Sequence, residues 1–374
     1  MTAPASFPKS IKALILRQSP QDRKPLYHDV VLEEKALPPL QKGLLLVKIG
    51  AAGFNHRDVW IRKGLYPGIA IGSVMGGDGA GTVVASGDDN DPLLNKRVFL
   101  VPSRGWEQHP DAPESDFSIM GGSAKIPIGA FSQYVAIESD QVILTPNHLD
   151  DIHAAALPIG AVTAWRATMV NARVQKGDNV LITGIGGGVA LMAMQLCIAK
   201  GANVYVTSSS EEKIHRAISL GAKGGVNYKA KDWPVQLERM LQKQNSSKVI
   251  GGSSTGSFDA VIDAAGGDIM PKVGKVLKPG GRVVAYGMHA YPSVTFTMRE
   301  ILKNQQFIGS TMGSHKDLID ATNFIAKHRI VPIVSNVIDG LEAAEDGFEL
   351  IRRGEQFGKV VINIGDESQE RAKL

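Results

Sequence analysis

The segment NVLITGIGGGVALMAMQLCIAKGANVYVTSSSEEK, residues 179–213, constrains this chain more than any other stretch. In order it reads as a buried strand, a glycine turn, an apolar helix and a second strand, which together make one βαβ unit. A glycine pattern alone is weak, but here both flanking contexts that a dinucleotide fingerprint requires are present. Gly184 permits the tight turn, and Gly187 and Gly188 let backbone N–H groups approach a pyrophosphate. Val189 belongs to the same set, and small Ala190 lets the helix pack close to the strand. The phosphates would face the positive end of that helix. The competing reading, a glycine-rich turn without a ligand, leaves the complete unit unexplained.

The tip of the second strand bears on which dinucleotide is bound. It runs Val206-Thr207-Ser208-Ser209-Ser210, with no carboxylate where NAD-preferring sites place one for the ribose hydroxyls; Glu211 and Glu212 come only later. Small hydroxyls at Ser208 and Ser209 leave room for a 2′-phosphate. Lys213 can reach it, and so can Tyr228 at the end of the next strand, so NADP(H) is expected in preference to NAD(H). For Lys213 the alternative is an ordinary solvated helix lysine.

The rest of the chain is organised around this unit. From Asn179, the strands NVLITG, NVYVTS, GGVNY, FDAVIDAAG, GGRVVAYGM and QQFIGST alternate with helical stretches and are apolar almost throughout. That is the pattern of a parallel sheet covered on both faces, an α/β fold. Before it, IKALIL, LLLVKIGAAG, GAGTVVASG, KRVFLVP and AFSQYVAIESDQVIL are short strands broken by glycine and proline, a barrel-like unit. Pro102 to Pro127 interrupts it as a long surface excursion. After about Thr311, KDLIDATNFIAKHRIV and LEAAEDGFELIRRG read as helices, and GKVVINI as a closing strand that returns to the β-rich company. At 374 residues the chain exceeds what a single core sustains. The expected domains are residues 1–152 and 311–374, discontinuous and β-rich, and residues 153–310, the nucleotide-binding sheet.

Several function classes are excluded or weakened. A net charge of +4 without a basic block gives no reason to expect nucleic acid or an anionic membrane. No apolar run approaches the roughly 20 residues that cross a bilayer, and the N-terminus lacks a signal-peptide core; a soluble, cytoplasmic protein is expected. The final Ala372-Lys373-Leu374 is close to a peroxisomal address and keeps that location open. The one cysteine, Cys197, lies in VALMAMQLCIAK and reads as a buried hydrophobe, which leaves no disulfide and no multi-cysteine zinc site.

Further motifs carry a resemblance. GFNHRDVWIRKGLYPG, GGDGAGTVV, GAFSQYVAI, AAALPIGAVTAWRA, the glycine turn, FDAVIDAAGG and GKVVINI, in this order, resemble the medium-chain dehydrogenase/reductase superfamily, specifically its zinc-free quinone-oxidoreductase-like branch. The resemblance covers nearly the whole chain. It implies a GroES-like catalytic domain, a doubly wound six-stranded Rossmann domain, a cleft between them, and a homodimer formed through the Rossmann sheet edge. In the zinc alcohol dehydrogenases of the superfamily a cysteine stands where this chain has Asn55, and a histidine-glutamate pair where it has Gly77-Asp78. A catalytic zinc needs about three protein ligands, so no metal is expected; His56 alone, without a partner at ligand spacing, reads as structural.

Without a Lewis acid, simple alcohol oxidation loses several kcal/mol of carbonyl polarisation. Quinones and enones suit such a site better, since they spread the incoming electron density over a π system. The resemblance assigns Tyr66 as the proton donor. A phenol with an ordinary pKa of about 10 is protonated at neutral pH. The alternative is a turn tyrosine in GLYPG. Asn55 matches an asparagine near the nicotinamide, where its amide can donate to a substrate oxygen, and Trp60 matches an aromatic substrate contact or else packs in the core. Asp58 reads as the cap of a helix beginning VWIRKG. Thr163 matches a position facing the cofactor, and Gly266 and Gly287-Met288, after later strand ends, let the cofactor pass close to backbone. Two rivals stand beside this reading: a zinc-type alcohol dehydrogenase with unusual ligands, and a cofactor-binding regulatory or structural protein.

Overall fold

The six strands of the alternating region pair in parallel in the order Gly224–Asn227, Asn203–Ser208, Asn179–Ile182, Phe258–Asp263, Leu277–Ala285, Gln306–Gly309. By chain position this is 3-2-1-4-5-6, the doubly wound arrangement, whose order reverses between the first and fourth strands. Val180, Leu181, Ile182, Val204, Val206, Val261 and Ile262 are completely buried, which is why these strands carry no alternation. The helix Gly188–Lys200 buries Ala190 to Met194, Leu196 and Cys197, and stops at Gly201 in the left-handed conformation, φ +90°. Burial pushes the Cys197 thiol far up from its ordinary value, as expected of an inert hydrophobe.

This computed structural model describes residues 8–246 and 256–365; the C-terminal tripeptide falls outside them. The chain forms two compact units, Met1–Ile159 with Val331–Leu374, and Gly160–Ile330. No helix among the described residues is long and apolar enough to cross a membrane.

In the discontinuous unit a seven-stranded sheet runs Val334–Asp339, Lys359–Asn363, Leu44–Gly53, Asp78–Ser86, Arg97–Leu100, Val142–Leu144, with Tyr134–Glu138 also paired to Leu44–Gly53. The closing strand lies antiparallel to Leu44–Gly53, with Val361 opposite Gly53 and Ile362 opposite Ala52. Beneath it Phe54 packs on Phe131 and Phe348, ring centroids 4.7 and 5.2 Å apart.

The unit boundaries differ from those expected, falling after Ile159 and Ile330 rather than after residues 152 and 310. The helix His315–His328 explains the second difference. Its Asp317 forms a buried ion pair with Arg166 at 3.1 Å, and Phe324 meets Trp165 at 5.5 Å. Amphipathic spacing shows that such a helix buries one face, not which core receives it. The strand Asp29–Ala36 pairs antiparallel with Ser10–Arg17; none of its charge-rich residues is fully buried, so it gives no period-2 signal. The excursion Pro102–Pro127 is anchored by buried Trp106, stacked edge-on to Phe117, and by Glu114, whose carboxylate accepts the backbone N–H groups of Glu107, Gln108 and His109 at 2.8, 2.8 and 2.5 Å. These three donors hold the Glu114 carboxyl down to about 2.

Candidate functional site

The glycine turn has the geometry a phosphate cradle needs. Gly184 adopts φ +64° and Gly186 φ +135°, both of which disfavour a side chain. Gly187 is the N-cap of the helix, and a Cβ there would meet open space. The first-turn amides of a helix have no carbonyl partners of their own, so the turn presents N–H groups at a positive helix end. The Gly184 N–H donates to Thr207 Oγ1 at 3.2 Å, tying the turn to the neighbouring strand tip. Gly186 is the residue the sequence reading omitted; its signal is the unbroken run of three glycines.

Beside the turn, at the carboxyl ends of the parallel strands, lies a cavity of about 870 Å³, lined by Gly184, Thr207, Tyr228, Trp233, Gly266 and Tyr291 among others. Its floor is fixed by Asp263, fully buried, which accepts from Thr183 Oγ1 at 2.6 Å and from the Gly266 N–H at 2.8 Å. Burial pushes the Asp263 carboxyl up; the hydrogen bonds from Thr183 and the following backbone oppose that. Gly266, at φ +72°, is crowded: a Cβ would lie 2.6 Å from the Tyr291 carbonyl. The Trp233 indole N–H is buried in this wall without a hydrogen-bond partner. A cavity of this size, walled by the Trp233 and Tyr291 rings, has room for a planar ring system such as a nucleotide base.

The other expected cofactor residues are spread around this region. Ser208 is buried, and its hydroxyl accepts the Ser210 N–H at 3.2 Å. Ser209 is exposed. Ser210 caps the helix Glu211–Ser219 by accepting the Lys213 N–H at 3.3 Å, which places half-buried Lys213 in the first turn. Tyr228 is 45% exposed and lines the cavity. Asn227 Nδ2 donates to Glu211 Oε1 at 3.0 Å, so a carboxylate stands nearer the strand tip than sequence spacing indicates. Gly287 is half-buried and Met288 exposed, and neither lines the cavity. Thr163 is buried in the helix Pro158–Trp165, its hydroxyl 3.7 Å from the sulfur of Met312, itself at φ +42°. Val189 is half-buried at the helix start.

In the discontinuous unit a second constellation forms around Asn55. Lys359, first residue of the closing strand, donates from Nζ to Asn55 Oδ1 and to Asp78 Oδ2, both at 2.8 Å. Asn55 Nδ2 donates to the same Asp78 oxygen at 2.9 Å and approaches the Gly53 carbonyl at 3.4 Å, and the Ile159 N–H donates to Asp78 Oδ1 at 2.8 Å. The Asn55 amide thus faces Asp78 and Gly53, not a free position for a substrate oxygen. Lys359 was missed, although a lone lysine heading the apolar strand KVVIN is the visible signal.

These residues do not fit a zinc ion. The carboxylate that could bind a metal already holds an ammonium, which repels a second cation, and Asn55 is a poor zinc donor. Among the described residues no group of three or more His, Cys, Asp or Glu side chains could hold a metal.

The helix His56–Arg62 begins three residues earlier than VWIRKG, with Asn55 as N-cap. Asp58 serves its start from inside, accepting the Asn55 N–H at 2.8 Å. Burial pushes the Asp58 carboxyl up to about 6; Arg57, the Asn55 N–H and Lys359 pull it down, and Asp78 adds to the rise. Arg57, buried, donates to the carbonyls of Met120 and Gly121 and lies over the ring of half-buried Tyr66, 4.9 Å from its centroid. Tyr66 lies in the turn that follows the helix, with its ring partly buried against the core. Trp60 is exposed, with Lys63 over its ring at 5.0 Å, so it is not core packing.

Comparison with known proteins adds the following. Residues 41–147 match the alcohol dehydrogenase GroES-like domain, and residues 188–327 match the zinc-binding dehydrogenase family. The zinc-type alcohol dehydrogenase-like protein YogA of Leptosphaeria maculans is 40% identical over 352 residues, 91% of this chain and 96% of that protein. A zinc-type alcohol dehydrogenase-like protein of Schizosaccharomyces pombe is 31% identical over 344 residues, 89% of this chain and 94% of that protein. Among solved structures, an NAD-dependent alcohol dehydrogenase superposes with a TM-score of 0.80 at 29% identity, covering 95% of this chain and all of that one.

Proposed function

We propose, on the premise that this chain belongs to the medium-chain dehydrogenase/reductase superfamily, that it is a zinc-independent, NADPH-dependent oxidoreductase reducing a conjugated carbonyl acceptor of the quinone, enone or enoyl type. The observation that carries the reading is the Lys359 ammonium held between Asn55 and Asp78. A site whose carboxylate is neutralised by a lysine has no place for a Lewis acid, so an acceptor that delocalises negative charge by itself suits it.

A bound nicotinamide supplies the hydride. The chain's own part is to hold and orient. Gly184, Gly187, Gly188 and Val189 take the pyrophosphate, and the cavity with Trp233 and Gly266 takes the base. Ser208, Ser209, Lys213 and Tyr228 are assigned to the 2′-phosphate, and Thr163, Gly287 and Met288 to the remaining contacts. Tyr66, with the Arg57 guanidinium 4.9 Å from its ring centroid, hydrogen-bonds the acceptor oxygen and gives a proton to the enolate, with Trp60 as an apolar wall. Homodimerisation is assigned to the free edge strand Gln306–Gly309.

A screen of NADPH oxidation over quinones, enones, enoyl thioesters and aldehydes tests this. Turnover of a conjugated acceptor and a large loss of kcat in Tyr66→Phe are expected; an unchanged rate removes Tyr66 from the mechanism. Glu211 beside Asn227, and the NAD-dependent solved relative, make the NADH arm decisive, because preference for NADH overturns the cofactor assignment. The names of the two relatives favour a second reading, alcohol dehydrogenation with zinc. Stoichiometric zinc in the purified protein, required for turnover, would establish it instead.

A further inference from the structure

Two strands of the parallel sheet, Asn179–Ile182 and Phe258–Asp263, meet where its order reverses. Their ladder ends with Ile182 opposite Ile262 and a backbone bond from the Thr183 N–H to the Ile262 carbonyl at 3.0 Å. In a doubly wound sheet the connections on either side of such a point leave on opposite faces, and the strand ends diverge into the crevice where ligands bind. Past the ladder, two side chains join the strand ends. Thr183 Oγ1 donates to Asp263 Oδ1 at 2.6 Å and accepts the Ala264 N–H at 3.2 Å, while Asp263 Oδ2 accepts the Gly266 N–H at 2.8 Å.

The surroundings give this bridge a task. A buried carboxylate is unfavourable unless its hydrogen bonds are complete. Asp263 is fully buried and does not line the cavity, whereas its partners Thr183 and Gly266 do, together with Gly184, Ala264 and Ala265. Each group that Asp263 holds thus belongs to a wall of the cavity, one wall following the first strand and the other following the fourth. The second wall is gripped from its far side as well, where the His289 and Ala290 N–H groups donate to the Ala264 and Ala265 carbonyls, both at 3.0 Å. Gly266 has little freedom between these grips, since its φ is +72° and a Cβ would lie 2.6 Å from the Tyr291 carbonyl.

We propose that Asp263 is a positioning residue for the dinucleotide: its bridge from Thr183 to Gly266 sets the spacing between the glycine turn and residues 264–267, the walls between which the ligand lies. The inference rests on the dinucleotide assignment given under the proposed function. Asp263 touches no ligand and exchanges no proton. A carboxylate supplies an acceptor oxygen to each wall, and no neutral side chain of the same shape does so. In Asp263→Asn the amide has one acceptor oxygen for two donors, so either the Gly266 N–H or the Thr183 hydroxyl hydrogen loses its acceptor and that wall shifts.

The test titrates NADPH, and NADH in parallel, into the purified full-length protein by calorimetry, and records the melting temperature of each unliganded variant. Asp263→Asn is expected to raise the Kd of the better-bound dinucleotide about 10-fold, the scale of one hydrogen bond to a charged group. Loss of the buried charge offsets loss of the bond, so the unliganded variant melts close to wild type. Thr183→Val deletes the hydroxyl and weakens binding to a similar degree. Thr183→Ser keeps it and binds like wild type, a recovery that a general loss of packing does not give. In the double variant Thr183→Val/Asp263→Asn the amide oxygen is released to the Gly266 N–H, so the combined loss falls short of the product of the single losses. Wild-type Kd in Asp263→Asn, or single losses that multiply in the double variant, overturns the role of Asp263 and leaves the dinucleotide assignment intact. If Asp263→Asn fails to fold, the Thr183 variants decide, and equal Kd in Thr183→Val and Thr183→Ser overturns the proposal. A wild-type protein that binds neither NADPH nor NADH overturns the dinucleotide assignment itself.

Discussion

Replacing Asp58 by Asn isolates the cost of a buried carboxylate. Asp58 is completely buried, Oδ2 accepts the Asn55 N–H, and Oδ1 has no hydrogen-bond partner, although the Arg57 guanidinium lies 3.7 Å away. Burial pushes its carboxyl up from an ordinary 3.8 to about 6. The folded state therefore binds this proton more tightly than the unfolded chain does, and stability is lost as pH rises from the ordinary value through the folded one. At 1.36 kcal/mol per factor of ten, the ionised carboxylate costs about 2.9 kcal/mol at pH 7 and about 1.6 kcal/mol at pH 5. Asn keeps an acceptor for the Asn55 N–H and carries no charge. Relative to wild type, Asp58→Asn should thus gain stability by an amount that grows by roughly 1.3 kcal/mol from pH 5 to pH 7. Guanidinium unfolding of both proteins at the two pH values measures it. A stability difference that is flat, or that shrinks toward pH 7, refutes the reasoning.

Three other outcomes are expected. Gly184→Ala meets no atom within 4 Å, so its cost comes from backbone conformation alone at φ +64°, roughly 1–2 kcal/mol; a variant that melts higher than wild type contradicts the turn geometry. Trp233→Phe should remove most of the tryptophan fluorescence change on dinucleotide binding, since the Trp233 ring lines the cavity; an identical titration in the variant shows that Trp233 does not report on the ligand. Glu114→Ala should speed limited proteolysis between residues 105 and 117. In wild type the carboxylate clamp should persist until pH falls through about 2, since the stability it confers is present above its ordinary value. Equal cleavage rates in the two proteins would mean that the loop does not depend on Glu114.

The nucleotide-binding unit was legible because its signals are local. An apolar strand, a glycine run and an apolar helix within thirty residues leave few alternatives, and the strand order follows from parallel crossovers. The Asn55 cluster was legible only by half. Sequence reading picked Asn55, yet the atoms that decide what its amide faces belong to Asp78 and Lys359, and nothing local links them. The same limit applied to the helix His315–His328, whose spacing fixed its buried face but not its partner. Asp58 was read as a cap and is one, but from the third helical position, because the chain turns into the helix at Asn55 rather than after Asp58. The carboxylate of Glu211 shows the reverse case: absent from the strand tip in sequence, it is brought toward it by Asn227.

The closing strand also sets an order of assembly. The bonds from Lys359 to Asn55 and Asp78 join residues 304 and 281 positions apart, whereas Gly160–Ile330 is a continuous stretch with its own core. During synthesis the nucleotide-binding unit is complete before the ribosome reaches Lys359, and contacts this distant in sequence are the slowest to close. Until they do, Asp78 and Asn55 face each other without that cation, beside an unpaired stretch at Ala51–Gly53. The nascent chain thus completes the parallel-sheet unit early, and the Lys359–Asn55–Asp78 cluster only when the last strand slots home.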